Sequence, residues 1–208
     1  MRTYVYIDGF NLYYGALKGT PYKWLDLKSL AQKILQPQNK ILSIKYFTAL
    51  VSSSFQDPGK TNRQTTYIHA LENYIPEIEI HYGTFLTHQV MAPLANQRSN
   101  NNLVPILKTE EKGSDVNLAV HLLNDAWLNS YECGVVISND SDLAESMKLV
   151  KKQHDKLLGV VSPFEKKRGS KELMEHADFC RKIRKGALKK SQLPAHIPGT
   201  HIKKPSDW

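Results

Sequence analysis

Cys133-Gly134-Val135-Val136-Ile137-Ser138-Asn139-Asp140-Ser141-Asp142 is the stretch from which the fold is read. Its first five residues are almost uninterruptedly apolar, as in a short strand covered on both faces, and carboxylates follow at once where that strand would end. Just upstream, residues 114–128 carry Val116, Leu118, Ala119, Val120, Leu122 and Leu123, an apolar helix. Downstream, 141–153 reads as a helix with Leu143, Met147 and Val150 on one face, and 156–162 as a second buried strand. A short helix at 170–175 and a final segment at 177–183 follow. Toward the N-terminus, 3–8 (TYVYID) is β-rich, 26–36 has helical spacing until Pro37, and 41–51 reads as a strand. Residues 60–75 read as a helix, and 77–85 alternates with period two, the mark of a half-buried strand. Residues 86–103 are rich in Asn, Gln and Pro and are expected to form a long loop or irregular insertion. Strands alternating with helices predict an α/β domain, three layers α/β/α, around a mostly parallel sheet of about five strands.

A chain of 208 residues is long enough for one domain with its own core. Apolar residues make up 41% and charged ones 23%, which excludes global disorder. No run approaches a membrane span, and the strand-like start at 2–7 has no signal-peptide pattern, so a cytoplasmic protein without membrane attachment is expected. Cys133 and Cys180 have no metal-ligand spacing and do not suggest a disulfide scaffold. Residues 1–147 hold 12 basic and 14 acidic side chains, whereas 148–208 hold 16 and 6, so the whole net charge of +8 arises in the C-terminal third. The density is greatest at Lys166-Lys167-Arg168 and over 181–190. Such a segment suits phosphate polymers, or is simply a solvated face. The domain is expected to occupy 1–185, with 186–208 a basic, proline-containing flexible tail.

In an open α/β sheet, ligands bind beyond the carboxyl ends of the strands, where the strand order reverses. Asp8 ends the first strand, Asp140 and Asp142 follow the fourth, and Asp115 opens the helix before it. Each has an ordinary explanation alone: Asp115 and Asp140 as helix caps, Asp8-Gly9 as a turn. Together they form a mutually repulsive set that a cation would compensate. Oxygen ligands without His or Cys at suitable spacing select a hard ion, Mg²⁺ or Mn²⁺, one or two of which suit phosphodiester hydrolysis. The aromatic residues Tyr13, Tyr14, Tyr22 and Trp24 could stack bases or could pack the core and rim.

Three motifs carry a resemblance. Tyr6-Ile7-Asp8-Gly9-Phe10-Asn11-Leu12, Lys112-Gly113-Ser114-Asp115-Val116-Asn117-Leu118-Ala119 and Ser138-Asn139-Asp140-Ser141-Asp142-Leu143 are similar, in order and separation, to those of the NYN domains, PIN-like ribonucleases. The resemblance covers about 3–183 and implies a PIN-like fold with the first and fourth strands adjacent. It implies metal coordination by Asp8, Asp115 and Asp140, with Asp142 as a ligand or just behind one. Asn11 would orient a ligand or phosphate, and Lys112 and Ser138 would lie at the rim near substrate. Phe10 and His121 depart from the family pattern, which bears on the number of metal ions.

The expected activity is therefore metal-dependent endonucleolytic cleavage of single-stranded or loop RNA by Asp8, Asp115, Asp140 and Asp142. RNA is the expected partner, with no organic cofactor and self-association left open. A catalytically silent PIN-like module binding RNA or protein is the alternative, although it gives no reason to keep four clustered carboxylates. A glycosyltransferase using Asp140 and Asp142 as a metal clamp leaves Asp8 and Asp115 unexplained.

Overall fold

Val5 and Ile7 alternate with Tyr4 and Tyr6 along β1 (Arg2–Asp8), and Val5, Tyr6 and Ile7 are all fully buried, so both faces of this strand are covered. The structure is a computed structural model in which residues 1–53, 55, 57–94, 103–165 and 169–208 are described. β1 pairs in parallel with β2 (Lys40–Thr48) on one side and β6 (Cys133–Ile137) on the other. β3 (Ile78–Tyr82) continues beyond β2, and β7 (Leu157–Ser162) and β8 (Phe179–Lys182) continue beyond β6. The order is β3-β2-β1-β6-β7-β8, every pair parallel. The expected mostly parallel sheet is present with one strand more than anticipated, and the neighbourhood of β1 and β6 is as the resemblance implied. From β1 the chain builds one half of the sheet and then crosses to build the other, so the strand order reverses between β1 and β6.

Helices cover both faces. Leu27, Leu30 and Ala31 of α2 (Leu27–Ile34), Tyr67, Ala70 and Leu71 of α3 (Lys60–Tyr74) and Leu188 of α7 (Lys185–Lys189) form one core with Val5, Ile7, Val135 and Ile137. Leu118 and Leu122 of α4 (Ser114–Trp127), Met147 and Val150 of α5 (Ala144–His154) and Leu173 of α6 (Lys171–Glu175) form the other with Tyr6, Val136, Leu158 and Val160. Burying each such aliphatic side chain contributes about 1.5–3 kcal/mol. α1 (Gly9–Leu12), which continues as a π-helical turn over Tyr13–Leu17, leaves directly from the end of β1. A buried polar network fixes α4: Lys45 pairs with Asp125 at 2.7 Å, and the Tyr6 hydroxyl donates to Asp125 at 2.8 Å. It ties the C-terminal half of α4 to β1 and β2, which leaves the first turn of α4 at the edge where those strands end.

Two expectations are corrected. The strand expected over 77–85 stops at Tyr82, and the irregular insertion expected over 86–103 belongs to a two-stranded antiparallel arm, β4 (Thr84–Pro93) against β5 (Leu103–Lys112). Both faces of the arm are largely exposed, so no buried face imposed an alternation on its sequence. The remainder of that insertion, 95–102, and the Lys166-Lys167-Arg168 cluster lie outside the described residues.

The second correction concerns 186–208, expected to be flexible. Leu188, Leu193 and Ile197 are buried, the Leu193 amide donates to the Trp24 carbonyl at 2.9 Å, and Trp24 Nε1 donates to the Pro194 carbonyl at 2.8 Å. Asp207 pairs with Arg63 at 2.8 Å, and the Trp208 ring lies against Trp24 and Tyr67. The segment thus covers a fully buried tryptophan. Among the described residues no helix is long and apolar enough to cross a membrane. Leu193→Ala and Ile197→Ala should each destabilise the protein by about 2–5 kcal/mol, as for truncation in a packed core. Thermal unfolding checks this: each variant should melt roughly 5–15 °C below wild type, and unchanged melting of both would mean that this segment is not part of the core.

Candidate metal centre

Parallel pairing places Ile7 opposite Ile137, so the next residues, Asp8 and Ser138, emerge side by side at the strand ends. The buried Ser138 hydroxyl donates to Asp8 Oδ2 at 2.9 Å and accepts from the Asp140 amide at 3.0 Å. Asp8 Oδ1 accepts from the Asn11 amide at 2.8 Å and caps α1. Asn11 Oδ1 in turn accepts from the Asn139 amide at 3.0 Å, which fastens the exit of β1 to the exit of β6. Gly9 is required by contact: a Cβ there would come within 2.7 Å of the Phe47 carbonyl and 2.8 Å of the Tyr46 ring.

Asp115 arrives from the other direction. Gly113 turns the chain at φ +97°, a left-handed conformation that glycine adopts without strain. The backbone amide and hydroxyl of Ser114 both donate to Glu111 Oε1, at 3.1 and 2.7 Å. With Gly113 at the cap position, Asp115 sits inside the first turn of α4 and does not cap it. Asp140 does cap, accepting from the Asp142 amide at 3.0 Å. Capping and site membership therefore coexist at Asp140, whereas the cap explanation fails for Asp115. Asp8, Asp115 and Asp140 each offer one carboxylate oxygen, and these lie within 4.8 Å of one another.

Burial and mutual repulsion act on this set. Asp8 is nearly buried, and burial raises its carboxyl above the ordinary range, with Asp140 adding to the rise and the bonds from Asn11 and Ser138 opposing it. Asp115 is pushed up to about 6, first by burial and then by Asp8, Asp140, Glu111 and Asp142. The sheet thus concentrates negative charge at its switch point and has no cation in the triad to balance it. Three convergent oxygen donors of this kind fit a hard divalent ion.

The other expected residues are placed as follows. Asp142 is exposed and outside the convergent triad, though close enough to raise Asp115. Lys112 is exposed at the end of β5 and pairs with Glu110 at 3.1 Å. Ser138 is not at a rim: it is fully buried, because it forms the bridge between Asp8 and Asp140. Phe10 meets Phe85 at the root of the arm, edge to face at 5.6 Å. His121 turns away from the triad toward His81, 4.0 Å between ring centroids, and Lys45. Trp24 is core, whereas Tyr13 and the exposed Tyr14 line a cavity of about 180 Å³ beside Gly9 and Phe10.

Sequence reasoning missed Glu111 and Asn139. Glu111 holds the Gly113 turn by accepting from Ser114, and its signal was an acidic residue two positions before a turn glycine. Asn139 Oδ1 accepts from the Ser170 amide at 2.8 Å and so joins the site loop to the start of α6.

The NYN domain profile matches residues 2–183. The 6-hydroxy-3-succinoylpyridine 3-monooxygenase HspA of Pseudomonas putida is 32% identical over 235 aligned positions, spanning 100% of this chain and 75% of that protein. A crystal structure of a protein of unknown function from Vibrio parahaemolyticus superposes with a TM-score of 0.58 at 16% identity, covering 92% of this chain and 96% of that one. At that identity the likeness concerns the fold.

The raised carboxyls give a signed expectation. A folded-state pKa above the unfolded value means that the native state binds more protons. The destabilisation is absent below the ordinary carboxylate range, develops as pH rises, and for Asp115 is fully present above about 6. In EDTA, wild type should therefore lose melting temperature between pH 4 and 6.5 more steeply than Asp115→Asn. At pH 7 the variant should melt at or above wild type, since Asp115 is not a cap. Scanning calorimetry of both proteins across this range checks it; parallel pH profiles would mean that Asp115 is not crowded by the other carboxylates.

Proposed function

Since this chain belongs to the NYN domain family, a PIN-like nuclease family, we propose that it is a metal-dependent ribonuclease that cuts within single-stranded or loop RNA. The observation that carries this reading is the convergence of the Asp8, Asp115 and Asp140 oxygens at the point where the strand order reverses. Those three residues would hold the ion, Mg²⁺ or Mn²⁺. When bound, such an ion acidifies a water and neutralises charge on the scissile phosphate and leaving oxygen.

The chain's own residues organise this site. Asp8 is oriented through both carboxylate oxygens, by the Asn11 amide on one side and the Ser138 hydroxyl on the other. Asn11 and Ser138 act as positioning residues, one fastening the Asn139 loop and the other coupling Asp8 to Asp140. Asp115 has its carboxyl raised to about 6, so ion binding should weaken as pH falls through that value. Asp142, outside the triad and exposed, would face solvent and an arriving substrate. Lys112, at the mouth of the Gly113 turn, would face the substrate's negative charge.

The name of the Pseudomonas putida relative suggests a second chemistry, oxygen insertion into a pyridine. Non-haem iron oxygenases use two imidazoles and a carboxylate. The triad here has three carboxylates, and His121 is directed to Lys45 and His81. The donor set favours phosphate chemistry.

Labelled RNA and DNA oligonucleotides, incubated with Mg²⁺, Mn²⁺ or EDTA, test the proposal. Wild type should produce internal RNA cuts that EDTA abolishes. Asp8→Asn and Asp140→Asn should each lose on the order of 10²-fold or more in rate, as expected for removal of a charged ligand. Ser138→Ala should also lose rate while remaining metal-dependent, because it leaves the ligands but frees their orientation. RNA binding without metal-dependent cutting would replace the nuclease with a silent binding module.

A further inference from the structure

A cavity of about 1000 Å³ opens along the β8 edge of the sheet, and its rim carries Lys33, Lys171, Arg181, Lys182 and Arg184 with Glu165 as its one acidic residue. The cations come from separate elements: Lys33 from α2, Lys171 from the first turn of α6, Arg181 and Lys182 from β8, and Arg184 from the residue capping α7. Their convergence is a product of the fold. Some basic residues elsewhere are matched by carboxylates: Lys28 by Glu77, Lys45 by Asp125, Arg63 by Asp57 and Asp207, Lys151 by Asp178. Among the described residues Lys33, Lys171, Arg181 and Arg184 form no ion pair. Four exposed cations facing one concavity focus positive potential in it.

Two residues lining the cavity adjoin Asn139, the neighbour of Asp140 in the chain. They are Ser162 and Gly169: Ser162 Oγ is 3.5 Å from Asn139 Oδ1, and a Cβ on Gly169 would lie 3.6 Å from the same atom. The cavity also has an apolar lining of Ile34, Val160, Met174 and Ala187. We propose that this cleft binds the sugar-phosphate backbone of single-stranded nucleic acid running from the carboxylate triad past Asn139 and around the β8 edge. The cationic rim suits phosphates, and the apolar lining suits unpaired bases, which a duplex would keep inside its stack. A concave site whose lining residues Ser162 and Gly169 adjoin Asn139 favours a polymer strand over a flat anionic membrane. The inference rests on the nuclease reading and adds to it a path for the strand.

Cys180 supplies a native reporter. It is exposed and lines the cleft, whereas Cys133, the other cysteine, is buried. In EDTA, a single-stranded RNA 12-mer should protect Cys180 from alkylation by iodoacetamide, and an RNA duplex of equal length should protect it less. Fluorescence anisotropy against salt gives the second readout. Lys171→Gln/Arg181→Gln/Arg184→Gln should reduce the log–log salt slope by about 2 and weaken affinity on the order of 10²-fold at 0.1 M salt, at about 0.7 per phosphate contact. Lys171→Arg/Arg181→Lys/Arg184→Lys should restore most of both, which separates charge from damage to the fold. With Mn²⁺, the glutamine variant should cut the 12-mer with a raised KM relative to wild type. Strong binding and cutting by wild type with an unchanged slope in the glutamine variant and no protection of Cys180 would overturn the cleft while leaving the nuclease intact. Preferential protection by anionic vesicles would assign the cleft to a membrane surface instead. Absence of both binding and cutting in wild type would overturn the nuclease reading itself.

Discussion

The Ser138 hydroxyl occupies the junction on which the site depends, donating to Asp8 and accepting from Asp140. It can do so only because β1 and β6 are adjacent, parallel and in the register that sets Ile7 against Ile137. A shift of one residue would send Asp8 to the opposite face and leave Ser138 without its acceptor. The register is held by side chains buried on both faces: Val5 and Ile7 in one core, Tyr6 and Val136 in the other. The apolar interior therefore determines the spacing of carboxylates that lie at its margin.

Two buried ionic arrangements among the described residues differ in how they are satisfied. Lys45 and Asp125 neutralise one another, and Tyr6 completes the set, so that network fixes α4 against the sheet. The triad at the opposite end of α4 has hydrogen bonds from Asn11 and Ser138 but no counter-charge of its own, and burial and repulsion raise Asp8 and Asp115 together. A fold selected for stability alone would not gather three carboxylates there. Local frustration of this kind is concentrated at functional sites and is tolerated because the surrounding structure is over-determined. Here the over-determination comes from the β1–β6 pairing below the triad and the Lys45–Asp125 anchor at the other end of α4.

The parts legible from sequence were those whose neighbours enforce a pattern. β1, β6 and β7 are covered on both faces and read as apolar runs; α4 and α5 carry apolar residues at helical spacing because one side of each packs. The arm was illegible for the converse reason: Met91, Leu103 and Leu107 are exposed, so apolar and polar residues succeed one another without a period. Leu193 and Ile197 were missed because they are isolated apolar residues among prolines. Their burial depends on Trp24, about 170 residues away, and no local pattern reports so distant a partner. At the site, the three converging aspartates were legible from their positions at element ends. Ser138 was misplaced at the rim because a serine after a strand looks exposed in sequence, whereas the register turns it between two carboxylates. Glu111 was missed because its role comes from the Gly113 turn, which folds it back onto Ser114.

The same topology accounts for the uneven charge. An edge strand exposes unpaired backbone groups, and basic side chains on it discourage pairing with other chains. That alone would explain Arg181 and Lys182 on β8, but it makes two further demands. The opposite edge should be protected in the same way, and the other cations should have no reason to join them. β3, at that opposite edge, reads Ile78-Glu79-Ile80-His81-Tyr82 and contains no lysine or arginine. Lys33, Lys171 and Arg184 lie off the edge strand, on three different elements, yet face the same concavity. Edge protection therefore accounts for two of the five cations. What relates all five is their position around a cleft whose lining residues adjoin Asn139, next to the converging carboxylates of Asp8, Asp115 and Asp140. An acidic centre repels a polyanion, so a substrate of that charge needs attraction from residues outside the centre. On the proposed path the β8 edge would supply it, leaving the carboxylates free for a cation.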